Sequence, residues 1–159
     1  MTTLYIEDVG GLRKAGPEEV IREAHALIAR RFRRGKRVSR SGRKLHELLK
    51  IHLGTLDHEM FGVLYLDAGE HLIALEDLFR GTVDHAAVYP REVVKAALRH
   101  GASSIIIYHN HPSGTLEPSP ADHHITRTLK DALGLVEVRL LDHLIVADGI
   151  YSMAEAGFL

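Results

Sequence analysis

An α/β domain on a central mixed sheet, preceded by an N-terminal helix, is the architecture to expect of this chain. Three observations point to it. Two apolar runs, MFGVLYLD and HLIALEDLF, flank the turn Asp67-Ala-Gly69 and read as a buried hairpin. A short β-branched run, SSIIIYH, lies between two segments that each open on a proline and read as helices. The chain then closes on VEVRLLDHLIVADGIYSM, which reads as two or three strands.

Each element follows from its residues. Residues 1–16 read as an irregular arm with turn signals at Gly10-Gly11 and Gly16. Pro17 opens a helix, with Glu18 and Glu19 at its positive end and the arginines near 30–34 at its negative end. Ile21, Ala24, Leu27, Ile28 and Phe32 give it an apolar stripe at helical spacing. RRGKRVSRSGRK is a basic connection, and a second helix covers Arg43 to Leu53. After the hairpin, Pro90 opens REVVKAALRHG, which Gly101 stops. SSIIIYH delivers His109 at its end. Pro120 opens another helix, with Ser119 as N-cap and Asp122 in the first turn, running to Leu133 and ending at Gly134. The pair Asp142-His143 reads as a turn between closing strands, with a pair supporting a metal ligand as the other reading. There is no internal repeat.

The composition narrows the function. A chain of 159 residues, 45% hydrophobic, suits one domain of ordinary size with a core that needs no staples. It has no cysteine, so disulfides and thiolate metal ligands are excluded, and a transition-metal site must use His, Asp or Glu. A net charge of −1 does not advertise a nucleic-acid partner. The charge is uneven, however: Arg30 to Lys44 is strongly basic. No apolar run approaches the roughly 20 residues of a membrane helix, and the N-terminus lacks the basic-then-apolar order of a signal peptide. A cytoplasmic protein with no membrane partner is the plain expectation.

The chemistry concentrates in YHNHPSGTLEPSPAD, Tyr108 to Asp122. At a strand end, alternation puts His109 and His111 on the same side, where two imidazoles can grip one ion. Asp122 stands in the first turn of the next helix, where a carboxylate is favoured. The turn formers between can fold it back over the histidines. Two nitrogens and one oxygen leave a fourth position open, the way catalytic zinc is held. A hydrolase of this kind needs a base that is not a ligand. Of Glu59, Glu70, Glu76, Glu92 and Glu117, Glu59 is preferred because it starts a rigid strand. Ser119 is a candidate oxyanion donor, with a helix N-cap as its plainer role. His123 and His124 extend the polar run and read as exposed helix positions.

These residues resemble a known pattern. His109-x-His111, seven residues, Ser119, two residues and Asp122, with an upstream glutamate, is similar to the JAMM (MPN⁺) metalloprotease motif. With HEMFGVLYLD, LFRGTVDHAAVYPREVVKAAL and LLDHLIV, the chain resembles the JAB domain of the bacterial RadC family, over roughly residues 38–159. Residues 1–37 are then an N-terminal arm and helix, as in a short form lacking the helix-hairpin-helix region of full-length members. The resemblance implies a cytidine-deaminase-like αβα sandwich. It implies Zn²⁺ on His109, His111 and Asp122, with Glu59 as acid/base and Ser119 as oxyanion partner. Asn110 departs from the peptidase pattern, where deubiquitinating members carry Ser or Thr. Asn is usual in the RadC group, so the departure bears on a ubiquitin-type substrate rather than on membership.

Two functions are therefore to be weighed. One is a zinc metallohydrolase acting on an amide or isopeptide bond of a peptide or protein. The other is a DNA repair or recombination factor touching phosphates through Arg30–Lys44; a solvated helix end is the plainer reading of that segment, and no aromatic series interleaves it for base stacking. An HNH nuclease does not fit, because its name letters stand far apart in sequence. A base deaminase needs H-x-E and C-x-x-C. A catalytically idle scaffold has no need of all five site residues. The loop VDHAAVY and the end of the hairpin at LFRGT are candidates for a wall over the metal. Exposed strand edges allow a homodimer.

Overall fold

The computed structural model describes residues 4–8, 10–17, 19–20, 23, 35–39, 42–81 and 88–159. Its elements are β1 (Tyr5–Asp8), β2 (Gly11–Lys14), α1 (Arg43–Leu53), β3 (Met60–Leu66), β4 (Leu72–Arg80), α2 (Pro90–Arg99), β5 (Ser104–Asn110), α3 (Pro120–Gly134), β6 (Arg139–Val146) and β7 (Ile150–Ser152). Most of the helix expected from Pro17 falls outside the described residues, as do five arginines of the basic segment and the loop residues 82–87.

Strands β3 to β7 form one sheet in the order β4-β3-β5-β6-β7. All neighbours are antiparallel except β5 and β6, which run parallel and are joined through α3. The sheet is mixed, as the apolar runs imply. Alternation divides its side chains between two cores. Leu64, Leu66, Ile106, Tyr108, Leu144 and Val146 meet Leu45, Leu48, Leu49 and Leu53 of α1. Phe61, Val63, Tyr65, Ile105 and Ile107 meet Val93, Ala96 and Ala97 of α2 and Leu129 and Leu133 of α3. Helices therefore cover both faces, giving the αβα layering. A sheet covered on both faces needs strands apolar on both sides, and this is why β3 and β5 read as unbroken apolar runs.

Within the arm expected to be irregular, residues 5–8 and 11–14 are regular strands. They pair as an antiparallel hairpin, with Tyr5 opposite Lys14 and Asp8 opposite Gly11. The residues around Gly10-Gly11 do make the turn, and Gly11 takes φ +107°, a conformation open to glycine. All four β2 residues are exposed. No buried face marks these strands in the sequence, and the backbone ladder alone defines them.

Two features of the fold bear on the site. Strand β5 ends at Asn110, and the sheet continues one step further because His111 N–H donates to Val146 O at 2.9 Å. Strand β6 carries a bulge opposite Ile105 and Ile106, where Leu141 is the extra residue. Leu140 packs on the α2/α3 side and Leu141 on the α1 side. Without the bulge, Leu144 would return to the α2/α3 side; it lies on the α1 side. The bulge thus reverses the facing of everything after it, and His143 is turned toward α3.

Candidate metal centre

The end of β5 and the first turn of α3 converge. His109 Nε2 lies 2.9 Å from His111 Nε2 and 3.2 Å from Asp122 Oδ1. His111 Nε2 lies 3.6 Å from Asp122 Oδ2. His109, His111 and Asp122 each turn one ligand atom inward, and these atoms lie within 4.8 Å of one another. Such a group could hold a metal ion.

Local sequence explains each placement. Asp122 is the N3 residue of α3 in a capping box. Its N–H donates to Ser119 Oγ at 3.2 Å, and Asp122 Oδ2 accepts from Ser119 N–H and Oγ–H at 2.7 Å each. Pro120 fixes the first helical residue. His111 is steadied by the turn that follows, where its Nδ1–H donates to Thr115 O at 2.7 Å. That donation leaves His111 Nε2 with its lone pair toward the cleft. Two imidazole nitrogens beside a carboxylate suit a shared cation, and the donor set fits zinc.

Electrostatics follow from burial and contact. Burial pushes His109 down to about 4, with Asp122 opposing and His111 assisting. The Asp122 carboxylate beside it raises His111, against its own partial burial. Burial alone would raise Asp122, but the neighbouring His111 and His109 rings and the two Ser119 contacts hold its carboxyl well below the usual carboxylate range.

The cleft above the three residues has a volume of about 240 Å³ and is lined by Glu59, Phe61, Val88, Ser119 and Ile125 as well as the histidines and Asp122. Of the five glutamates weighed, Glu59 is the one in this lining. Glu76 pairs with Arg99 and His100, Glu92 with Lys95 and Arg91, and Glu70 stands 3.9 Å from Arg37. Ser119 is both the N-cap and a cleft residue, and its hydroxyl donates to Asp122 Oδ2. His124 is exposed at the rim of the cleft, while His123 turns away and meets the Phe158 ring at 4.4 Å.

Asp142-His143 is not a turn. Both residues are buried inside β6. Asp142 Oδ1 accepts from the N–H groups of His143 and Ala154, and Oδ2 from Ser152 Oγ–H. His143 Nε2 lies 2.8 Å from His109 Nδ1, and its Nδ1 lies 2.6 Å from Thr126 Oγ1. A polar pair amid apolar residues resembles a turn signal, but here the carboxylate satisfies backbone donors and the ring meets a cleft histidine. Two further residues escape a reading by motif. Asn110 ties the His58 and Met60 backbone to β5. Thr126, one helical turn after Asp122, meets His143.

The model of the RadC-like JAB domain matches residues 39–158. The chain belongs to this family. Its relatives include the UPF0758 protein of Acidovorax sp. strain JS42, 46% identical over 97% of this chain and 65% of the relative. Another is the UPF0758 protein of Vibrio cholerae, 47% identical over 92% of each. That of Albidiferax ferrireducens is 57% identical over 70% of this chain and 48% of the relative. The chain thus spans about 65% of the length of the Acidovorax relative. As a RadC-like JAB domain with a His-His-Asp group, it carries the layered sheet and the donor cluster in one unit. Among its described residues no helix is long and apolar enough to cross a membrane.

Proposed function

We propose that this JAB domain is a zinc-dependent hydrolase of the JAMM type that cleaves an amide or isopeptide bond in a peptide or protein. The observation that carries the reading is the convergence of His109, His111 and Asp122 in one cleft with Glu59. His109 Nε2, His111 Nε2 and the Asp122 carboxylate would hold the ion. When bound, zinc supplies a Lewis acid and lowers the pKa of its water to about 7.

The remaining work falls to the protein. Glu59, outside the ligand set, takes the proton of the attacking water and passes it to the leaving amine. Its backbone is fixed where β3 begins, which narrows the space that its carboxylate searches. Ser119 donates to the developing oxyanion by turning its hydroxyl off Asp122 Oδ2. Asp122 keeps the Ser119 N–H contact during that turn. Phe61, Val88 and Ile125 give the cleft apolar walls that limit competing water.

The test is metal content together with cleavage of a peptide and isopeptide panel. Wild type should hold one zinc per chain and lose it in His109→Ala and Asp122→Ala. Glu59→Gln should keep the zinc and lose about 10²–10⁴-fold in rate. A folded wild type that takes up no zinc, or cleavage indifferent to Glu59, would overturn the proposal.

A further inference from the structure

Thr126, His143 and His109 form a chain of hydrogen bonds that begins at a backbone carbonyl. Thr126 Oγ1 lies 2.6 Å from Asp122 O, and a carbonyl has no proton to give. Donating to Asp122 O uses the one hydroxyl proton and leaves the oxygen's lone pairs for His143. Met153 Sδ, at 3.4 Å, is the weaker acceptor of the two. In that arrangement His143 Nδ1, 2.6 Å from the same oxygen, carries a proton and Thr126 accepts it. His143 is fully buried, a setting for a neutral ring with one N–H and one lone pair. Its Nε2 lone pair then faces His109 Nδ1 at 2.8 Å, and His109 must be the donor. What remains on His109 is an Nε2 lone pair directed at His111 and Asp122.

We infer that His143, held by Thr126, is a positioning residue that locks His109 in the Nδ1–H tautomer and so presents Nε2 as a ligand atom. The metal half of this inference rests on the zinc reading above; the tautomer half does not. Three features of the fold serve the lock. The bulge at Leu141 turns His143 to the α3 side, where it meets His109. Phe61 stacks on the His109 ring at 15° and 6.4 Å and meets His143 at 6.0 Å, so one aromatic ring packs against both. The lock also closes on itself, because the carbonyl that orients Thr126 belongs to Asp122. The backbone of one proposed ligand thereby sets the proton on another, through β6.

Ring ¹⁵N–¹H correlation NMR on the zinc-free protein reads the tautomer directly and needs no variant. His109 is expected with Nδ1 protonated and Nε2 bare; an Nε2–H tautomer overturns the inference. Thr126→Val removes the accepting oxygen at nearly constant volume, and His109 should then populate both tautomers. The zinc dissociation constant should rise about 10–100-fold, as for other partners of metal-ligating histidines. Thr126→Ser keeps the hydroxyl and should restore both readouts, which a volume effect would not do. A folded Thr126→Val that keeps a single tautomer and wild-type affinity overturns the lock. A wild type that binds no zinc, yet shows the Nδ1–H signature and loses it in Thr126→Val, sustains the lock and overturns the zinc reading.

Discussion

Asn110 sits between the two cleft histidines, yet its side chain works on another strand. Its Oδ1 accepts from Met60 N–H at 2.8 Å, and its Nδ2–H donates to His58 O at 3.0 Å. Those two backbone groups flank Glu59, whose own carbonyl accepts from Gly81 N–H at 2.8 Å. The residue proposed as base is thus tied at three points to neighbouring chain. Asn110 is buried, so its amide must keep both partners. Asn110→Asp keeps the acceptor for Met60 but turns a carboxylate oxygen on His58 O. We expect a loss of about 1–3 kcal/mol, the usual penalty for an unsatisfied buried group, read from urea denaturation. Zinc content should be unchanged, because neither ligand moves its ring, while cleavage falls in kcat as Glu59 loses its setting. Equal stability and equal kcat in Asn110→Asp would show that the amide holds nothing.

Among the elements, α3 carries the most function for its length, and its first turn decides the site. The Ser119–Asp122 capping box satisfies helix N–H groups and aims the carboxylate in one arrangement. Ser119→Ala should lower stability by about 0.5–2 kcal/mol through loss of the cap. Ser119→Asn restores an N-cap acceptor without the hydroxyl. If Ser119 only caps, Asn recovers both urea midpoint and cleavage. If the hydroxyl also meets the oxyanion, the midpoint returns and the rate does not. The boundaries of α3 were legible because Ser119, Pro120 and Gly134 mark them, and Arg43–Leu53 was legible from its apolar spacing. The β1–β2 hairpin was not, because β2 is exposed throughout and shows no apolar alternation. His143 was legible only as the second of two readings, behind a turn. Which way it faces depends on the bulge, and a bulge is a property of pairing between strands rather than of either strand's own sequence. Asn110 poses the same difficulty, since its partners lie 50 and 52 residues away.

At the scale of the whole molecule, helices on both faces of the sheet keep water from the polar ends of β5 and β6. His109 and His143 are buried there, and burial pushes both well below the ordinary histidine range. This gives the zinc-free fold a particular pH dependence. Below about pH 6.5 the unfolded chain protonates both rings. The folded chain does not until His109 titrates at about 4, with His143 held low as well. The unfolded state therefore binds more protons, and stability falls as pH drops through this window. One proton of difference amounts to about 1.4 kcal/mol per pH unit, so two approach about 3. His111 acts in the opposite sense. Its folded pKa is raised, so its contribution is complete below about 6.5 and fades as pH rises through the folded value. Asp122 adds a second acid limb: its depressed folded pKa stabilises above about pH 3.9 and is lost as pH falls below it. Urea midpoints in EDTA should therefore peak near pH 6.5 and decline on both sides, more steeply toward acid. Added zinc should raise the midpoint more at pH 7.5 than at pH 5, because protons and metal compete for the same Nε2 atoms. A midpoint flat between pH 7 and 5 would mean that water reaches both rings, and that the layered sheet does not shield the centre in the way its packing requires.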